Sequence, residues 1–317
     1  MDMYYIGIDL GGTNIKAGLV DADGKILIKE SVKTNPQRPY REICADMADL
    51  AKKVAEDAGV KLHNIEGIGV GSPGIVDSAT GKVVYANNIK WVNVPLAEEI
   101  HKHIGLPVKA SNDANVAALG EALFGGGKGY KDSVLLTLGT GVGSGIVINK
   151  KIVEGYKSAG GEAGHMVVRA GGPRCTCGRR GCFEAYASAT GLARMTKEEM
   201  NKDKQSAMWE ICGGNTENVT GKTAFTAMKQ GDTAGAKVVS KYIKFLGEGI
   251  VNIINTLRPE VVILGGGVCA EGDYLLTPLN KFIRKYSYGG KYGPPTKLLT
   301  ATLGNDAGLV GAAALWM

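Results

Sequence analysis

No window of this 317-residue chain approaches the ~18 continuous apolar residues that a membrane helix needs, so a spanning segment is excluded. Nor is there a basic tract of the kind that marks a nucleic-acid arm; the formal charge of +6 is modest and spread along the chain. Low-complexity segments are absent, and the N-terminal run M-D-M-Y-Y-I-G-I-D reads directly as strand, so no signal peptide is expected. The G-x-x-x-x-G-K-[ST] phosphate loop is also missing. Membrane and nucleic-acid partners therefore drop out, and a small-molecule enzyme in a reducing cytoplasm is the expectation.

What the chain has in excess is glycine. Its 47 glycines are about twice the usual share of roughly 7%. Many fall in short turns, which implies backbone approaching something closely. Of the six cysteines, Cys175, Cys177 and Cys182 stand together in C-T-C-G-R-R-G-C-F-E, with His165 ten positions earlier in G-G-E-A-G-H. Three thiolates and an imidazole suit tetrahedral Zn²⁺, and Gly178 and Gly181 allow a tight fold around an ion. Glu162 and Glu184 bracket the cluster and are candidates for polar recognition.

Along the chain, Tyr4–Ile8, Ile15–Val20 and Ile26–Val32 read as a β-meander. An amphipathic helix presents Ile43, Met47, Leu50, Ala51 and Val54 on one face. A buried strand at Ile65–Val70 ends in G-S-P-G, a helix covers Pro95–Ile104 with Pro95 in its first turn, and a strand near Val108 leads to a helix at Ala114–Phe124. Ser133–Leu138, a glycine run at Gly139–Gly145 and Ile146–Ile148 repeat the opening strand–turn–strand pattern of residues 5–20, which points to a degenerate internal duplication. A long helix is expected at Ala234–Leu257, a strand at Val261–Leu264 and a final helical run at Val310–Leu315. The polar stretch Lys197–Asn218 reads as a surface excursion. Strands alternating with helices place the chain in the α/β class.

Three glycine turns are candidate phosphate cradles: Asp9-Leu10-Gly11-Gly12-Thr13-Asn14, Gly139-Thr140-Gly141 and Gly265-Gly266-Gly267. Asp9 suits Mg²⁺, which prefers oxygen ligands. An ordinary hairpin would carry the first motif equally well, but three such turns together favour a nucleotide. Asn112-Asp113 lies at a strand end before a helix, where Asp113 is placed to accept a proton from a substrate hydroxyl, or simply to cap the helix. Gly71-Ser72-Pro73-Gly74 and Ala86-Asn87-Asn88-Ile89-Lys90-Trp91 are turn-rich stretches whose amides suit a polyol.

D-L-G-G-T-N, N-D-A-N, L-G-T-G-V-G-S-G, G-G-E-A-G-H, C-T-C-G-R-R-G-C-F-E and L-G-G-G, in that order from residue 9 nearly to the C-terminus, resemble the ROK family (repressors, open reading frames and sugar kinases). The resemblance implies a two-lobed actin-like/hexokinase ATPase fold of duplicated ribonuclease H-like domains with a structural zinc site. It implies lobes of residues 1–111 plus 304–317 and of residues 112–303. It further implies ATP and Mg²⁺ on Asp9, Gly11, Gly12, Thr13, Asn14, Gly139, Thr140, Gly141, Gly265, Gly266 and Gly267. Sugar contacts are implied for Asn112, Asp113, Glu162, His165 and Glu184, with Asp113 as catalytic base and zinc on His165, Cys175, Cys177 and Cys182; Gly71 and Asn87, from the two turn-rich stretches, are added as candidate sugar contacts on their own chemistry. One departure is Ser111, where many relatives carry an acidic residue. The stretch A-N-N-I-K-W with V-N-V-P-L looks like that of the family's glucokinases, so glucose is the expected substrate, ahead of mannose, fructose or N-acetylhexosamines. The family's sugar-sensing regulators carry a DNA-binding domain before D-x-G-G-T; with that motif at Asp9, none is expected here. A homodimer or homotetramer is what the family suggests.

Overall fold

The computed structural model describes residues 3–317. In chain order the elements are β1 (Tyr4–Leu10), β2 (Asn14–Asp21), β3 (Ile26–Lys33), α1 (Tyr40–Asp57), β4 (Ile65–Ser72), β5 (Ile75–Asp77), β6 (Lys82–Ala86), β7 (Trp91–Val94), α2 (Leu96–Ile104), β8 (Val108–Asn112), α3 (Asp113–Leu123), β9 (Ser133–Leu138), β10 (Val142–Ile148) and β11 (Lys151–Ile152). They continue as α4 (Glu184–Ala187), α5 (Ala189–Lys202), α6 (Met208–Ile211), α7 (Thr223–Lys229), α8 (Thr233–Leu257), β12 (Val261–Gly265), α9 (Asp273–Tyr286), β13 (Lys297–Thr300) and α10 (Ala307–Ala313).

Two five-stranded sheets have the orders β3-β2-β1-β4-β8 and β11-β10-β9-β12-β13. The two orders are one pattern: a first strand with its hairpin partners on one side and later strands on the other. The duplication expected from the repeated strand–glycine–strand signal is thus present, and each glycine run links the first and second strands of its sheet. A three-stranded sheet, β5-β6-β7, was not anticipated.

Two compact units divide the chain. The first runs to Leu135 and adds Gly145–Gly161 and Ala301–Met317; the expected lobe boundary at residue 111 falls inside it. Its β1 pairs antiparallel with β2 and parallel with β4, and β4 pairs parallel with β8. The near-continuous apolar run of β1 buries Ile6 and Ile8, which join Ile68 and Val70 and the α1 face of Ile43, Met47, Leu50 and Val54 in one core, as the helical periodicity predicts. Tyr5 and Val20 pack instead with Leu309, Val310 and Ala313 of α10. That second layer explains part of the glycine excess. A Cβ on Gly7 would lie 1.9 Å from the Leu309 carbonyl oxygen, and one on Gly69 would lie 1.7 Å from that of Ala312. Backbone therefore packs on backbone, and these strand glycines serve the interior rather than a turn.

The second unit comprises Leu136–Ser144 and Glu162–Thr300. Its β12 pairs parallel with β13, and α8 buries Val238, Tyr242, Leu246 and Ile250 along one stripe. The Tyr242 hydroxyl donates to the Ala187 carbonyl at 2.9 Å. Two expectations are corrected. The Lys197–Asn218 stretch is no mere excursion: α5 and α6 enter it, and its Met200 and Met208 are fully buried. Pro95 stands at the N-cap of α2, one residue outside the helix, where its missing N–H costs nothing.

Candidate active site

Each candidate residue sits where a strand or turn delivers it. In the first unit, Asp9 is next to last in β1, its side chain 26% exposed, with Lys16 Nζ 3.9 Å from its carboxylate. Burial pushes the Asp9 carboxyl above its ordinary range, against the opposing pull of Lys16. Around it, Gly11 N–H donates to Asn14 O at 3.0 Å, and the Thr34 hydroxyl donates to Gly11 O at 2.6 Å. A Cβ on Gly308 would come within 3.2 Å of Asp9 Cγ, so that glycine makes room for the carboxylate.

The glycines of the three turns separate into two kinds. At Gly12, Gly139 and Gly267 a Cβ would meet nothing within 4 Å among the described residues. Packing does not demand glycine there, and the exposed backbone is open to a ligand. Gly141 and Gly266 are different. A Cβ would lie 2.4 Å from Glu184 Oε2 in the first case and 2.3 Å from Leu138 O in the second, where φ is also +102°. Gly265 is buried at the end of β12, and Thr13 and Thr140 are exposed in their turns.

Asn112 closes β8 and is the N-cap of α3; its Oδ1 accepts from the N–H groups of Ala114 at 2.8 Å and Asn115 at 3.3 Å. Its Nδ2 donates to Gly74 O at 2.9 Å, tying the G-S-P-G turn to the helix start. Asp113 is therefore not the cap: it is the first helical residue, exposed, at the positive end of α3. Gly71 is buried in β4, where a Cβ would strike Val116 Cγ2 at 2.6 Å, so its glycine identity answers to packing. Asn87 is exposed and its Oδ1 accepts from the Tyr85 hydroxyl at 3.2 Å. Ser111 is buried and donates to Glu154 Oε1 at 2.5 Å, a partner that sequence reasoning missed.

In the second unit, one ligand atom from each of His165, Cys175, Cys177 and Cys182 lies within 4.8 Å of all the others. Cys177 Sγ and Cys182 Sγ are 3.7 Å apart, and His165 Nδ1 is 3.6 Å from Cys175 Sγ. A tetrahedral ion with metal–sulfur bonds of about 2.3 Å requires sulfurs about 3.8 Å apart, so the set fits zinc and no disulfide. Gly178 and Gly181 have φ of +89° and +81°, as the tight turn requires. The backbone N–H of Arg179 lowers the Cys177 thiol, whereas burial raises Cys175 and pushes Cys182 up to about 12. Bringing these thiols together as thiolates calls for a cation among them. Nδ1 of His165 faces the cluster, which leaves Nε2 for another partner.

Glu162 is exposed just before the short turn Ala163–His165. Glu184 opens α4, with Val142 N–H donating to Oε2 at 3.1 Å and the Thr176 hydroxyl donating to Oε1 at 2.9 Å.

Two sheets of one topology, each with a glycine turn between its first and second strands, define the duplicated α/β fold of the hexokinase and actin class. The family model described as ROK family matches residues 5–317. A glucokinase of Halalkalibacterium halodurans is 39% identical over 98% of this chain and 94% of its own. A ROK family glucokinase from Streptomyces griseus, solved in complex with glucose and AMPPNP, covers 98% of both chains with a TM-score of 0.80 at 37% identity. A xylose repressor of Caldicellulosiruptor bescii is 31% identical over 89% of this chain and 70% of its own length. The chain belongs to the ROK family.

Proposed function

We propose that this protein is an ATP-dependent sugar kinase that converts glucose to glucose 6-phosphate, with Asp113 as general base. Likeness to a glucokinase over nearly the full length of both chains carries the reaction. Exposure of Asp113 at the first position of α3 supports its role. In this reading the Asp113 carboxylate takes the proton of the 6-hydroxyl as that oxygen attacks the γ-phosphorus, and the bond to the departing ADP oxygen breaks. Positioning matters more than basicity in such a transfer, and Asn112 fixes the helix start that aims Asp113. Open backbone at Gly12, Gly139 and Gly267 is suited to the nucleotide's phosphates. Mg²⁺ near Asp9, when bound, neutralises charge on the phosphoryl oxygens. Glu162 and the free nitrogen of His165 serve the sugar's hydroxyls. Zinc held by His165, Cys175, Cys177 and Cys182 would have four protein ligands and no open position, so its role would be structural.

A reducing cytoplasm suits the unpaired thiols, and the family favours a homodimer or homotetramer.

The test is a coupled ADP-release assay over a panel of hexoses, with wild type and Asp113→Ala. Glucose should give the highest kcat/KM, and Asp113→Ala should lose ~100-fold or more in kcat while still binding glucose by calorimetry. ATP turnover independent of sugar, or near-normal turnover by the variant, would overturn the reading.

A further inference from the structure

Glu154 lies outside every motif considered above, yet its carboxylate joins three separate segments. Ser111, buried at the end of β8 and two residues before Asp113, donates to Oε1 at 2.5 Å. Ser78, in the turn after β5, donates to Oε2. Ser158, in the loop that leads to Glu162, donates to the same oxygen at 3.3 Å. Ser78 N–H also donates to Ser158 Oγ at 3.2 Å, and the two hydroxyl oxygens are 2.9 Å apart, so the single Ser158 hydroxyl proton is shared between Glu154 and Ser78.

The loop so held is costly on its own. Lys157 and Ser158 have φ of +50° and +56°, a left-handed conformation that carries a penalty for any side chain other than glycine. Such a conformation persists only where the surroundings over-determine it. Here the surroundings are the carboxylate of Glu154 and its backbone oxygen, which accepts from Gly160 N–H at 2.7 Å. The anchored end is equally defined. Ser111 pairs in register with Gly71, and Asn112 pairs with Ser72 and bonds Gly74 O, so the Glu154 bond reaches the strand pair from which Asp113 and the G-S-P-G turn emerge.

We infer that Glu154 is a positioning residue for the sugar: one carboxylate fixes the β8–α3 junction and the loop preceding Glu162 relative to the β5 turn. It touches no reacting atom and acts through Ser111 and Ser158. The inference rests on the sugar-kinase reading above. The nucleotide's glycine turns make no part of this network, so the effect belongs to sugar affinity and not to ATP affinity.

The test uses full-length wild type, Glu154→Gln, Glu154→Ala, Ser111→Ala and the Glu154→Gln/Ser111→Ala double variant. Glucose KM, ATP KM, kcat and thermal melting are measured for each, together with calorimetric glucose binding. Glu154→Gln preserves shape and should melt close to wild type. Its glucose KM and Kd should rise ~10-fold, the scale of a lost charge-assisted hydrogen bond, with ATP KM unchanged. The double variant should be no worse than Glu154→Gln, since both changes break one path. Glucose KM within about twofold of wild type in Glu154→Gln, or an equal rise in ATP KM, overturns the inference while leaving the kinase reading intact. Fully additive losses overturn the link through Ser111. A wild type without sugar-dependent turnover removes the functional reading and this inference with it.

Discussion

Glu184 bridges the second glycine turn to the cysteine knot: one carboxylate oxygen accepts from Val142 N–H at 3.1 Å and the other from the Thr176 hydroxyl at 2.9 Å. Thr176 lies between Cys175 and Cys177, so an ion held by those thiolates fixes the partner of Glu184, and Glu184 fixes the glycine turn. Metal loss should therefore reach the nucleotide as well as the fold. Stripping zinc with a chelator, or Cys182→Ser, is expected to lower the melting temperature by on the order of 5–10 °C and to raise ATP KM. Metal content and melting measured on the same sample check this. A chelated protein that melts like the holoprotein would mean the cluster holds no structural ion.

The two kinds of turn glycine should respond in opposite ways to a methyl group. Gly12→Ala meets no neighbour within 4 Å among the described residues, so stability should stay within about 0.5 kcal/mol while ATP KM rises through blocked backbone approach. Gly266→Ala places a Cβ 2.3 Å from Leu138 O at a φ of +102°, so it should cost about 2 kcal/mol or more. Urea denaturation and ATP titration of both variants separate the effects. Equal stability loss in the two would show that the turn at Gly12 is constrained by packing after all.

Glu121 is fully buried in α3, and its carboxylate accepts backbone N–H groups from Gly126, Thr302 and Leu303 at 2.8–3.1 Å. Those bonds satisfy the turn that precedes α10. Glu121→Ala leaves buried donors without an acceptor and should destabilise the protein by about 3 kcal/mol. Equilibrium urea unfolding reads this directly; a loss below about 1 kcal/mol would mean water replaces the carboxylate at little cost.

Much of this was legible because the signals are local. The repeated strand–glycine–strand pattern, the α1 face and the Cys-His set all lie within short windows whose spacing carries the physics. What escaped is tertiary. Ser111 and Glu154 are 43 positions apart, and Val142 and Glu184 are 42 apart, so no spacing rule links them. The β5-β6-β7 sheet has strands of three to five residues, too short for alternation to show against their turn residues. Helix α9 contains Pro278, which reads as a breaker. Polarity hid the α5–α6 region, since a few buried side chains such as Met200 and Met208 anchor a largely charged sequence. At Gly71 and Gly141 only the structure shows which neighbour the glycine accommodates, Val116 in one case and Glu184 in the other.

Asp9 gives the clearest dependence on pH. Burial raises its carboxyl above the usual value in the folded state, so the folded protein binds that proton more tightly than the unfolded chain does. Stability from this group is thus present below the ordinary carboxylate range and is lost as pH rises through the raised value; at neutral pH the ionised, half-buried carboxylate opposes folding. Asp9→Asn removes the charge and keeps the shape. It should melt higher than wild type at pH 7, and the gap should narrow as the pH is lowered toward the ordinary carboxylate range near 4, because the raised carboxyl takes up its proton before an ordinary one does. If the carboxylate holds a cation at the phosphates, as proposed above, the same variant should lose ~100-fold or more in kcat at pH 7. Paired melting curves at the two pH values and a Mg²⁺ titration of activity test both halves. An Asp9→Asn protein that melts lower than wild type at pH 7 would assign the carboxylate a net stabilising role through Lys16, 3.9 Å away, and would reverse the sign of this argument.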